Sequence, residues 1–144
     1  VAVTGVQTCA LPISTAFLDG QRGIVVARTF NEGRELPNKK TEQYVITPGK
    51  RPFVGLAFLW RQFNIESAPM TACVMVTVPA NKLIATLDTD RMPAVLDDAD
   101  WDTWLGERGT AIDNVKACLK TDPGKDWTMA KEELPPRAKT KVRA

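Results

Sequence analysis

There is no histidine anywhere in the 144 residues, and that absence excludes more chemistry than any residue present suggests. Without imidazole there is no Ser-His-Asp triad, no Cys-His dyad and no zinc site built on histidine. Cysteine is sparse as well. Cys9, Cys73 and Cys118 have no metal-ligand spacing and do not make an even disulfide set. They fit a reducing compartment, with Cys73 and Cys118 expected as inert core thiols. No apolar run reaches the roughly 18 residues that a membrane helix needs. An excess of one charge is missing too: 19 basic residues against 17 acidic leave +2, too little to argue for a polyanionic partner by itself. Neither a metal nor a cofactor is expected. The 44% apolar and 25% charged content describes one globular domain of no particular function class.

The two ends read differently from the middle. Val3 to Ile13, VTGVQTCALPI, resembles the conceptual translation of a sequencing adaptor. It has no basic n-region for a secretory signal, since the first charged residue is Asp19. Cys9 has no cation near it in sequence to lower its pKa. Residues 1–13 are therefore expected to be a foreign segment, so that the chain reads as a fragment. Domain sequence is expected over 14–134. From Pro135 onward the chain is Pro, Lys, Arg, Ala, Thr and Val, too polar to pack and expected as a disordered basic tail.

Between the ends, apolar runs and turn residues predict strands at Gly23–Ala27, Gln43–Thr47, Phe53–Trp60, Ala72–Val78 and Met92–Leu96, with a short one at Trp127–Ala130. The first, third and fourth are apolar enough to be buried on both faces. Asn31–Lys40, with Gly33, Pro37 and Asn38, predicts a surface loop, and Arg61–Thr71 a connection. Helical spacing appears in Asn81–Leu87. Asp98 is placed to cap a helix over Ala99–Leu105 that Gly106 would end. Thr110 and Asp113 are placed to open another, running to Lys120. Without a βαβ rhythm or an internal repeat, the class is α+β.

Glu32 and the Asp90-Arg91 pair are the candidates for chemistry on the residues alone. Glu32 follows Phe30 at the mouth of an apolar strand, where partial desolvation can raise a carboxylate pKa into the range useful for proton transfer. From the residues alone the simpler reading is a solvated loop glutamate beside Glu35. Asp90-Arg91 before Pro93 reads as a local turn salt bridge, or as a guanidinium free to take a phosphate in bidentate fashion. Thr77 ends a strand ahead of Pro79-Ala80-Asn81. Thr89 precedes the Asp-Arg pair and offers a hydroxyl, which cannot exchange protons near neutral pH as imidazole does. Trp60, Trp101, Trp104 and Trp127 are candidate stacking surfaces, with core packing the simpler reading of Trp60, Trp101 and Trp104. Glu32 with Asp90 as a hydrolytic carboxylate pair has no further motif behind it.

Ala27-Arg28-Thr29-Phe30-Asn31-Glu32 and Thr89-Asp90-Arg91-Met92-Pro93, in this order, resemble the SOS response-associated peptidase (SRAP) family. The resemblance spans about residues 16 to 130. It implies a curved, mostly antiparallel β-sheet flanked by a few short helices, and a monomer in the bacterial cytoplasm at the nucleoid. The implied partner is single-stranded DNA containing abasic sites, cross-linked as a thiazolidine through an N-terminal cysteine that also performs a self-cleaving peptidase step. Glu32 falls at the family's catalytic glutamate. Thr89 stands where the family commonly has a catalytic histidine. Arg91 and Thr77 fall at positions that face DNA. Cys9, Cys73 and Cys118 cannot supply the cross-link, because each nitrogen is inside a peptide bond. A non-catalytic module that binds single-stranded DNA remains the alternative.

Overall fold

The computed structural model describes residues 16–65, 68–107 and 111–133. The adaptor-like head, the basic tail and Thr110 lie outside the described residues. Those residues form β1 (Arg22–Ala27), β2 (Phe30–Glu35), β3 (Thr41–Thr47), β4 (Val54–Ile65), β5 (Ala68–Met75), β6 (Thr77–Pro79), β7 (Arg91–Pro93), β8 (Val95–Leu96) and β9 (Thr128–Lys131). Between the strands come α1 (Trp101–Leu105), α2 (Ile112–Ala117) and 3-10 turns at Ile84–Leu87 and Asp98–Asp100. Every strand pairing among the described residues is antiparallel, in keeping with the expected α+β class and its mostly antiparallel sheet.

β4 is the spine. β1 pairs along one edge of it, Arg22 opposite Leu59 through Ala27 opposite Val54. β5 and then β8 share the other edge. The handover between them is a closed ring of three backbone hydrogen bonds. Ala57 N–H donates to Ala94, Ala94 N–H to Val76, and Val76 N–H to Ala57, each at 2.9 Å. Ala57 and Ala94 are 0% and 1% exposed, so larger side chains there would have to displace packed neighbours. Beyond this junction the chain of β5 leaves β4 and pairs, as β6, with β7. A separate sheet of β2, β3 and β9 completes the fold.

The core lies where these sheets meet α1 and α2, and includes Ile46, Val54, Leu56, Ile84, Met92, Leu96, Trp104 and Val115. Trp104 is fully buried, and its indole N–H donates to the Gly23 carbonyl at 2.9 Å. Arg22 reaches back to the carbonyls of Trp104 and Phe17, so β1 and α1 are joined in both directions. Gly55 is required at that seam. A Cβ there would sit 2.8 Å from the Trp101 ring and 2.9 Å from Ile24, closer than packed atoms tolerate.

Several expectations are corrected. Asn31–Lys40 is not a loop, since Phe30–Glu35 is β2, paired in register with β3 from Phe30–Ile46 to Glu35–Thr41. Gly and polar side chains lower strand propensity, but a paired ladder satisfies the backbone whatever the side chains are. The turn is confined to 36–40, with Lys39 at φ 61. Arg61–Thr71 is not a plain connection either: β4 runs on to Ile65 and β5 begins at Ala68. β1 is an edge strand of its sheet and is not buried on both faces, with Val25 41% and Val26 56% exposed. Nor is β5, all eight residues of which are exposed. Cys73 lies on it and is exposed, so of the two described cysteines Cys118 alone is a core thiol.

Trp60 is 37% exposed, not core. Asp98 makes no capping bond and pairs with Arg51 at 3.8 Å instead. Asp113 likewise caps nothing and pairs with Lys116 at 3.4 Å. The helix ending was read correctly, as Gly106 terminates α1 at φ 80, a conformation glycine adopts without strain.

Candidate functional site

Side chains alternate along β2, so Phe30, Glu32 and Arg34 share one face. Phe30 is buried and meets the Trp127 ring edge-on at 5.9 Å. One pleat further along, the Glu32 carboxylate is half-buried. Burial pushes its pKa up, and a 3.3 Å bond from the Gly33 backbone N–H only partly offsets this by favouring the charged form. One pleat beyond, Arg34 is committed elsewhere: its Nε meets Asp88 Oδ2 at 3.2 Å.

Asp88 closes the 3-10 turn Ile84–Leu87 in a left-handed conformation at φ 59. That turn starts where Asn81, 5% exposed, accepts the Ile84 backbone N–H at 3.0 Å and donates to the Asp122 carbonyl at 3.1 Å. Directly after Asp88 comes the Thr89-Asp90-Arg91 segment that leads into β7. The ion pair therefore links the strand carrying Glu32 to the segment carrying Thr89 and Arg91.

In the β6–β7 ladder Thr77 opposes Pro93, Val78 opposes Met92 and Pro79 opposes Arg91. Val78 and Met92 are 4% and 1% exposed, so Thr77 and Arg91 share the outer face. Arg91 Nε and Nη2 both donate to the Thr77 hydroxyl, at 3.2 and 3.1 Å, and Nη2 also donates to the Thr77 carbonyl. The expected local pairing of Asp90 with Arg91 does not form, because the guanidinium is turned onto Thr77. Thr89 Oγ1 accepts the Arg91 backbone N–H at 3.4 Å and donates to the Arg91 carbonyl at 3.2 Å. Its hydroxyl closes the turn into β7.

Thr77, Thr89 and Arg91 thus form one bonded cluster, and Glu32 stands on the strand joined to it through Arg34 and Asp88. The sequence reading missed Arg34 and Asp88. The signal was present in the alternation Phe-x-Glu-x-Arg from Phe30, which a loop assignment concealed. Among the described residues there is no group of three or more His, Cys, Asp or Glu placed to hold a metal ion. No helix of the described residues is long and apolar enough to cross a membrane.

A mostly antiparallel α+β fold, with a half-buried carboxylate on a strand joined by the Arg34–Asp88 pair to the segment of Thr89 and Arg91, narrows the class, and comparison with known proteins supplies the family. Residues 11–133 match the model of the SOS response associated peptidase (SRAP) family, and the chain belongs to it. It is 28% identical over 104 residues to "Abasic site processing protein YoqW" of Bacillus subtilis (strain 168), and equally to the protein of that name from Bacillus phage SPbeta. Those matches cover 72% of this chain and 46% of each relative, so the chain spans about half the length of the curated relatives it matches. Two crystal structures share the fold. A Bacteroides thetaiotaomicron protein matches with TM-score 0.68 at 19% identity, covering 78% of this chain and 50% of that one. A Bordetella bronchiseptica protein matches with TM-score 0.68 at 20% identity, covering 84% and 59%.

Proposed function

We propose that this chain is part of a protein that processes abasic sites in single-stranded DNA through a covalent DNA–protein cross-link. The observation that carries this reading is Glu32, a half-buried carboxylate with raised proton affinity. It stands on a strand held to the Arg91 segment by the Arg34–Asp88 pair. Membership of the SRAP family and likeness to proteins named for abasic site processing support it.

The chemistry runs as follows. An abasic sugar equilibrates between a closed hemiacetal and an open aldehyde. Glu32 in its protonated form gives a proton to the ring oxygen as the ring opens, and its carboxylate takes the proton that the anomeric hydroxyl loses as it becomes the aldehyde oxygen. The aldehyde carbon condenses with the free α-amine of an N-terminal cysteine and releases water as the imine forms. The thiol sulfur then adds to the imine carbon and its proton goes to nitrogen, which closes a five-membered thiazolidine. The same terminal thiol is the nucleophile for cleaving a leader peptide. Arg91 holds a backbone phosphate near the sugar. The hydroxyl of Thr89 is engaged with Arg91 on both its donor and acceptor sides, so proton transfer falls to Glu32 alone.

The test uses a single-stranded oligonucleotide with one abasic site, incubated without reductant and run on a denaturing gel. The chain with the sequence given forms no covalent band, because none of its cysteines is N-terminal. A version that starts Met-Cys forms one, and Glu32→Gln slows its appearance by about 10²–10⁴. A band from the unaltered chain, or Glu32→Gln reacting at full rate, refutes the assignment.

The engagement of Thr89 in a turn also favours a second reading, a non-catalytic module for single-stranded DNA. Salt-sensitive binding without any covalent product from the Met-Cys version would select it.

A further inference from the structure

We infer that Thr77 acts on DNA through Arg91: it holds the arginine so that a phosphate can be taken only by Nη1. This rests on the proposed DNA-binding role of Arg91 and specifies how that residue works. A guanidinium carries five N–H donors. Three of the five point at Thr77, two of them onto its hydroxyl and one onto its carbonyl.

The two nitrogens involved, Nε and Nη2, make up the side-on fork with which arginine usually grips a phosphate in bidentate fashion. That fork is already filled by the protein. The donors left without a protein partner among the described residues are the two on Nη1. The phosphate therefore approaches the tip of the guanidinium, and the two-nitrogen grip expected from the sequence is replaced by a single-nitrogen contact.

The arrangement fixes the arginine in advance. Arg91 extends from the short strand β7, and its backbone is clasped by Thr89 through both N–H and C=O. Its guanidinium is clasped by Thr77 across the ladder, on the outer face. Both ends of a long side chain are thus fixed before DNA arrives, and binding does not have to supply that ordering. Thr77 is a positioning residue for Arg91, not itself a contact to DNA.

Two measurements test this. The first needs no DNA. In a proton–nitrogen spectrum of the chain, the Arg91 Nε–H is protected from exchange with water. Thr77→Val, which keeps the β-branched shape and removes the hydroxyl, abolishes that protection, and Thr77→Ser retains it. The second is the affinity for single-stranded DNA, read by fluorescence anisotropy. Thr77→Val weakens it by about three- to tenfold, the typical effect of releasing one long side chain, and Thr77→Ser leaves it unchanged. With Arg91→Ala already present, Thr77→Val causes no further loss.

A further loss in that background would mean that Thr77 meets DNA directly, and would overturn the inference. An unprotected Arg91 Nε–H in the starting chain would overturn it as well. Failure of the starting chain to bind DNA at all would instead remove the DNA-binding reading, and the exchange result would show whether the clasp itself exists.

Discussion

The link between Glu32 and the Arg91 segment has two components, and substitution separates them. One is the Arg34–Asp88 ion pair at 3.2 Å, whose side chains are 41% and 74% exposed. The other is the apolar packing below it, where β2 lies against the 3-10 turn and Phe30, Ile84 and Leu87 are 9%, 0% and 3% exposed in one core cluster. An ion pair this exposed contributes about 0–1 kcal/mol after screening and side-chain ordering. Leu87→Ala removes a buried side chain and leaves a cavity, which costs about 2–5 kcal/mol. The packing should win by a factor of about two or more.

Asp88→Asn is the clean probe of the weaker component, because asparagine tolerates the left-handed conformation at φ 59 as well as aspartate does. Thermal melts of both variants are the assay, in 0.05 M and 1 M NaCl. Asp88→Asn lowers the Tm by no more than about 4 °C, taking about 4 °C per kcal/mol for a chain of this size, and the difference vanishes in 1 M salt. Leu87→Ala lowers it by about 8 °C or more at both salt concentrations. If Asp88→Asn is as damaging as Leu87→Ala, or its effect is indifferent to salt, then the ion pair and not the core fixes β2 at the site.

Three further outcomes follow from the structure. Burial raises the Glu32 pKa, so ionising it opposes folding. The penalty is absent below the unfolded carboxylate pKa and complete above the folded one, so urea melts should find Glu32→Gln more stable than the starting chain at pH 7, with the gap closing as pH falls through the raised pKa. A thiol reagent followed by peptide mapping should label Cys73 quickly. Cys118 should react only on unfolding, because it is 3% exposed and burial is the main cause of its raised thiol pKa.

The third concerns the edge of β5. Val76 N–H points at β4, so by alternation Thr71, Cys73 and Met75 turn their backbone groups to the open side, as does Pro69, which has no N–H to lose there. This edge is uncharged and unpaired among the described residues, a surface on which strands from other molecules can add. Light scattering should show the chain self-associating at micromolar concentration and Thr71→Lys reducing it. A starting chain that stays monomeric would refute that.

Some of this protein was decided within the sequence. Phe53–Trp60 could be read as the central strand because it is apolar in nearly every position, and a segment so apolar must be covered on both sides. Gly106 marked the end of α1 because the left-handed turn favours a residue without Cβ. The segments around Glu32 and Arg91 carried the family resemblance, since those are short, local patterns. Other features were decided only by contacts between distant segments. The polar residues from Asn31 became a strand because β3 was there to satisfy their backbone. Arg91 turned from its neighbour Asp90 to Thr77, fourteen positions away, because the β6–β7 ladder puts the two side chains on one face. The exposure of Trp60 and Cys73 depended on where β5 leaves β4 at the Ala57–Val76–Ala94 ring. Local patterns record what each residue prefers, but pairing and burial are properties of two segments at once, and no single stretch of chain contains them.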